Sequence, residues 1–142
     1  MEYVTRSPRQ TAALAERLAA GLRGGECIAL YGDLGAGKTQ FVRGLVSGLG
    51  GDGRRVCSPT FVLLNIYQGG RLTVYHLDAC RLNGAEELEG IGFDELLRQG
   101  GVVAVEWADR VTSALPPQRI EVSMEATGRS TRRIRIEGAA GA

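Results

Sequence analysis

Eight consecutive residues in this chain are arranged to hold phosphate. Gly32-Asp33-Leu34-Gly35-Ala36-Gly37-Lys38-Thr39 fits the spacing GxxxxGK[ST] without a mismatch. Glycines in such a loop let backbone N–H groups curl around phosphate oxygens, and a helix starting there adds the positive end of its dipole. The Lys38 ammonium is a point charge that can reach β- and γ-phosphates, and the Thr39 hydroxyl is a ligand for Mg²⁺. With 21 glycines in 142 residues the match has a chance origin of roughly two in a thousand. The 17 basic residues comprise sixteen arginines and Lys38 alone. A compact ammonium is therefore used at the one place where a planar guanidinium fork would be the wrong shape.

A phosphate loop needs a second metal anchor, usually a carboxylate that ends a neighbouring apolar strand. Two residues meet that description. Glu106 follows the four-residue apolar run Val102–Val105, and Asp78 follows LTVYHL. Either acid would arrive at the carboxyl edge of a sheet, where ligands bind in open α/β folds. Ser58-Pro59-Thr60 offers two hydroxyls on a proline-restricted turn, the kind of segment that can sense a γ-phosphate; Thr60 is the residue singled out there.

These residues require an α/β scaffold. Cys27–Tyr31 reads as a buried strand leading into the loop, and residues 37–49 as a helix leading out, with Phe41, Leu45 and Leu49 on its buried face. Ser7, Pro8 and Gln10 start an earlier helix over 8–23, stopped by Gly24 and Gly25. Residues 61–67 and 72–77, joined through Gly69–Gly70, read as a hairpin. A helical stretch over 84–98 breaks near Gly90–Gly92. Val102–Val105 is a buried parallel strand. A short helix near 109–115 stops at Pro116–Pro117, and alternation around Ile120–Met124 and Ile134–Ile136 predicts a terminal antiparallel pair. Residues 138–142 read as a frayed tail. The expectation is one domain over 1–142 with a mixed sheet.

Composition excludes several classes. Net charge is +1, too balanced for a basic nucleic-acid coat, so DNA binding is not expected. No run approaches the roughly 18 apolar residues of a membrane span, and the first residues lack a signal-peptide core, which points to a cytoplasmic protein. Cys27, Cys57 and Cys80 have no metal-binding or disulfide spacing and read as small buried thiols. An Asn-Lys-x-Asp base-reading motif is impossible, because Lys38 is the only lysine, so ATP is favoured over GTP. Length leaves little room for the lid and second pocket of a metabolite kinase.

The strings GDLGAGKT (32–39), SPTF (58–61), YHLDACRL (75–82), EELEGIGFDELL (86–97) and VEWADR (105–110) together resemble the TsaE family, over nearly the whole chain. That resemblance implies a P-loop NTPase fold: a three-layer α/β domain with a mixed, mostly parallel central sheet. It implies a small ATPase that supports threonylcarbamoylation of the adenosine next to the anticodon in tRNA, acting with TsaD and TsaB and touching tRNA through them. It implies ATP and Mg²⁺ as ligands. Nucleotide contacts fall on Asp33, Leu34, Gly35, Ala36, Gly37, Lys38, Thr39, Gln40 and Trp107. Thr39 and Glu106 serve the metal, and Lys38, Asp78, Glu106 and Thr60 serve hydrolysis. Gln40 stands where the family commonly has threonine, and Cys80 where it usually has tyrosine. Turnover alone is expected to be slow, since no arginine finger is identifiable. A small P-loop metabolite kinase and a non-hydrolysing nucleotide-gated scaffold are the rival readings. Adenine could be approached by Thr5–Thr11 or by Arg129–Arg133.

Overall fold

The structure is a computed structural model; it describes residues 1–33, 35–57 and 64–138. Strands are β1 (Glu2–Thr5), β2 (Cys27–Tyr31), β3 (Leu64–Tyr67), β4 (Val74–Asp78), β5 (Val102–Glu106), β6 (Ile120–Ala126) and β7 (Arg132–Glu137). Helices are α1 (Pro8–Ala19), α2 (Lys38–Gly48), α3 (Ala85–Gly90) and α4 (Phe93–Arg98). The strands form one sheet in the order β1-β7-β6-β2-β5-β4-β3. The central strands β6, β2, β5 and β4 run parallel. The outer pairings, β1 with β7, β7 with β6 and β3 with β4, are antiparallel. This is the mixed sheet with a parallel centre that the apolar runs and hairpin signals predict.

Side chains alternate across the strands, so each face has its own core. Ile28, Leu30, Val74, Val102 and Ala104 face α1 and α2, where Leu14, Ala15, Phe41, Val42 and Leu45 complete the packing. Ala29, Leu77, Val103 and Val105 face the other way, onto Leu88, Phe93, Val111 and Leu115 from α3, α4 and the turns after β5. That makes three layers. His76 and Asp78 keep the alternation of Val74, and Glu106 keeps that of Ala104. All three polar side chains therefore belong to the α2 side of the sheet.

Local chemistry explains the helix boundaries. Ser7 Oγ accepts from Gln10 N–H at 3.1 Å, and the Gln10 side chain accepts from Arg6 N–H at 2.7 Å. The reciprocal cap is present, with its return bond shifted one residue toward the N-terminus. Helix α1 ends at Ala19, earlier than Gly24–Gly25 suggest, and Leu22 still packs into the core from the turn that follows. The stretch 84–98 does break at Gly92, whose φ is 89°. The expected helix at 109–115 is instead two 3₁₀ turns, Ala108–Arg110 and Thr112–Ala114. Strand β1 is not legible in the sequence: Tyr3 and Thr5 point inward, but four residues at a chain end make a weak pattern. Of the thiols, only Cys27 is buried, and burial pushes it up to about 12; Cys57 is exposed and Cys80 half-buried.

Helices α1 and α2 touch closely at Gly44. A Cβ there would collide with the Ala12 carbonyl and lie 2.8 Å from Ala12 Cα, both backbone atoms that cannot step aside. Gly44→Ala should therefore cost about 1–3 kcal/mol, read as a lower midpoint in urea at unchanged slope. Gly90→Ala, with open space around it, should leave the midpoint unchanged or raise it slightly.

Candidate functional site

Strand β2 runs out of the core and turns at Gly32, whose φ is 147°. Gly35 and Gly37 follow at 83° and 101°, a left-handed region that side chains resist. Gly37 is the cap of α2 and has no side chain to satisfy the helix's first donors. The first bond of the helical repeat is Phe41 N–H to Gly37 C=O, at 2.9 Å. The N–H groups of Lys38, Thr39 and Gln40 precede it and are left for an anion. The Gln40 side chain is turned away to Arg43, which donates to it at 2.8 Å, so Gln40 meets this end of the helix through its backbone.

Lys38 is only 5% exposed. Its ammonium donates to Gly32 C=O at 2.5 Å and stands 3.8 Å from the centroid of the Trp107 ring. A cation over an indole face is attracted by the ring's quadrupole. Burial pushes the Lys38 ammonium below its ordinary value, while the carboxylates of Glu106, Asp78, Asp109 and Asp33 oppose that shift. Trp107 has φ 58°, the only non-glycine residue at positive φ among the described residues. A bulky side chain in that region costs about 1–3 kcal/mol, and here the twist sets the indole beneath the lysine.

The two carboxylates arrive together because their strands end level. Asp78 pairs in register with Glu106, and Glu106 with Leu30, two residues before the loop begins. Glu106 is 3% exposed and Asp78 8%. Asp78 Oδ1 accepts from Cys80 N–H at 2.8 Å. Glu106 Oε2 meets His76 Nε2 at 2.5 Å, and His76 Nδ1 meets the Tyr67 hydroxyl at 3.2 Å. Cys80 reaches Asp78 through its main-chain N–H, and its thiol is pushed up by burial and then by the neighbouring Asp78 carboxylate.

Among the described residues, no group of three or more His, Cys, Asp or Glu side chains is arranged to hold a metal. One hydroxyl and one or two carboxylates beside a phosphate cradle suit Mg²⁺, which keeps several waters and completes its shell with phosphate oxygens. Thr39, Glu106 and Asp78 are the residues that could contribute. Leu34 and Ser58-Pro59-Thr60 lie outside the described residues, and with them the expected sensing turn.

Arg132 belongs to the loop although no local pattern assigns it there. Its guanidinium donates to Gly35 C=O at 3.0 Å and Ala36 C=O at 3.1 Å. Arg132 also stands in register with Thr5 on β1. Both segments considered for adenine therefore come to the same flank of the loop. Thr5 and Thr11 share a buried hydrogen bond at 2.7 Å, which ties the strand to the start of α1. The clustering of four arginines within 129–135 is the available signal, but it does not say which one turns inward.

A family model described as "Threonylcarbamoyl adenosine biosynthesis protein TsaE" matches residues 5–134. The chain is 39% identical over 134 residues to the tRNA threonylcarbamoyladenosine biosynthesis protein TsaE of Bacillus subtilis, covering 94% of this chain and 83% of that one. It is 40% identical over 136 residues to the Treponema pallidum protein of the same name, covering 96% and 99%. The crystal structure of Bacillus subtilis YdiB superposes with a TM-score of 0.78 at 34% identity, over 94% of this chain and 82% of that one.

Arg132 acts on the loop's shape, and its removal should be visible there. Arg132→Ala should speed amide hydrogen exchange across residues 32–40 by several-fold at constant pH, with the rest of α2 unchanged. Arg133→Ala removes only an exposed ion pair with Glu125 and should leave that exchange pattern as it was.

Proposed function

Because this chain belongs to the TsaE family of threonylcarbamoyladenosine biosynthesis proteins, we propose that it binds ATP with Mg²⁺ at the loop Gly32–Thr39 and hydrolyses it slowly, as the ATPase that supports tRNA threonylcarbamoylation with TsaD and TsaB in the cytoplasm. The observation that carries this reading is the head of α2: free N–H groups behind a left-handed Gly37, with a buried lysine beside them. No helix among the described residues is long and apolar enough to cross a membrane, which is consistent with the proposed setting.

Electrostatics supports a metal as the companion of the nucleotide. Glu106 and Asp78 are buried carboxylates on the side of the sheet that faces α2. A polyphosphate brought next to them would be repelled unless a cation stood between. Mg²⁺, held through Thr39 and the Glu106 side, would neutralise phosphate oxygens as negative charge shifts toward the leaving group. Lys38 would exchange its bond to Gly32 C=O for a phosphate oxygen, recovering in charge pairing what burial costs it. Asp78 stands beside Glu106, at the distance of one strand, to orient water.

Weak turnover by the isolated chain is in keeping with the commitments of Arg132 and Arg43. Arg132 is committed to loop carbonyls, and Arg43 to the carbonyls of Gly53 and Val56, at 3.2 and 2.9 Å. Neither guanidinium is free to meet a γ-phosphate. A partner protein could supply or position that charge, and stimulation by TsaD and TsaB is expected on that ground.

Phosphate release from ATP, measured with and without TsaD and TsaB and with a screen for a phosphorylated small acceptor, tests the assignment. The expected result is slow Mg²⁺-dependent release that rises with both partners and yields no phosphorylated acceptor. A phosphorylated acceptor would make the protein a kinase, and binding with no turnover even in the complex would make it a scaffold. Lys38→Ala should weaken ATP binding roughly 10- to 100-fold. Lys38→Arg should fail as well, because the longer planar fork does not fit a pocket between Gly32 C=O and the Trp107 ring. Near-normal hydrolysis by Lys38→Arg would contradict the role given to the lone lysine.

A further inference from the structure

His76 is fully buried and lies between two other polar side chains, on a face of the sheet otherwise packed with Val74, Val102 and Ala104. An aliphatic residue would pack there at no polar cost, so the histidine needs a reason. Both of its ring nitrogens are engaged: Nε2 with Glu106 Oε2 at 2.5 Å, Nδ1 with the Tyr67 hydroxyl at 3.2 Å. A ring N–H at Nε2 can donate to the carboxylate oxygen, which accepts. The Tyr67 hydroxyl sits in turn against the main chain of Cys57, accepting from its N–H at 3.3 Å, and its single proton serves either Cys57 C=O at 3.1 Å or His76 Nδ1. The rings of Tyr67 and His76 pack with centroids 5.9 Å apart. The result is a line of contacts across three strands, from Cys57 through Tyr67 on β3 and His76 on β4 to Glu106 on β5.

We propose that His76, held by Tyr67, is the positioning residue for Glu106: it ties up Oε2 and leaves Oε1 as the one oxygen Glu106 can offer toward Mg²⁺ or its water. This rests on the Mg²⁺–ATP reading of the site. Without the histidine, the Glu106 side chain could turn both oxygens toward the buried Lys38 ammonium, whose charge it already feels. Such a pairing would hold the lysine and the carboxylate together and withdraw both from the ligand. The His76 contact prevents it by holding Glu106 from the side opposite the loop. Outer partners of this kind fix the orientation of a ligating side chain and typically matter 10- to 100-fold for metal affinity. Cys57 is joined to the carboxylate through two side chains, Tyr67 and His76.

The test uses the full chain and a non-hydrolysable ATP analogue, with emission of the single tryptophan, Trp107, as the binding signal. Analogue affinity is measured across a Mg²⁺ titration for wild type, His76→Leu, His76→Gln and Tyr67→Phe, each checked for its melting midpoint. His76→Leu should bind the analogue within about twofold of wild type without Mg²⁺, yet need about tenfold more Mg²⁺ for half the metal-dependent gain. His76→Gln, whose amide can still donate to Glu106, should recover most of that loss, and Tyr67→Phe should show a smaller shift of the same sign. A purely structural role would lower the midpoint without moving the Mg²⁺ requirement. If His76→Leu does not fold, Tyr67→Phe and His76→Gln decide the question. A wild-type Mg²⁺ requirement in the folded histidine and tyrosine variants overturns this inference alone. Absence of any Mg²⁺ effect in the wild type overturns the Mg²⁺–ATP reading, and the inference with it.

Discussion

Three parallel strands of this protein end at the same height, and the site follows from that. Leu30, Glu106 and Asp78 are neighbours in register across β2, β5 and β4. Because side chains alternate with period two, a register fixed by the apolar residues below also fixes which side the terminal residues face. A slip of one residue in β5 would send Glu106 to the face occupied by Leu88 and Phe93 and bring Val105 to the loop. The apolar cores on the two faces therefore do more than stabilise the fold. They set the position of the carboxylates to within a residue, on the side where α2 begins.

The cost of this arrangement is concentrated in a few buried charges. Lys38, Glu106 and Asp78 are each less than one-tenth exposed, and burial pushes the Lys38 ammonium below its ordinary value. The structure offsets this by giving every one of them a partner. Lys38 has a carbonyl and an indole face, Glu106 has His76, and Asp78 has the Cys80 N–H. Among the described residues no buried side-chain nitrogen or oxygen lacks a hydrogen bond. The helix N-terminus is different, since its donors are satisfied only from outside the chain. The site is thus held together internally on its carboxylate side and open at the head of α2.

Legibility in the sequence varies with how local the signal is. The phosphate loop can be read directly, because glycines at this fixed spacing before a lone lysine suit little besides a phosphate cradle. Glu106 can be read from the apolar run before it, and Asp78 from the end of a hairpin strand, and the register sets the two level without choosing between them. His76 does not stand out: a lone histidine within an apolar strand reads as a core residue, and its partners Tyr67 and Glu106 are 9 and 30 positions away. Its signal is the alternation Val74, His76, Asp78, which puts it on the same face as the acid two residues later. Arg132 lies 96 and 97 positions from the carbonyls it grips, a separation that no local pattern reveals. The left-handed Trp107 is equally invisible, since nothing in its composition asks for that conformation. It comes with the replacement of the expected single helix after β5 by two 3₁₀ turns.

The most direct test of this account is a crystal structure of the chain with Mg²⁺ and a non-hydrolysable ATP analogue. Phosphates should lie on the N–H groups at the head of α2, with the Lys38 ammonium transferred from Gly32 C=O to them. The metal should lie on Thr39, with Glu106 as the nearer carboxylate and still bonded to His76. An analogue bound away from Gly32–Thr39, or a metal held by Asp78 with Glu106 turned aside, would contradict this account.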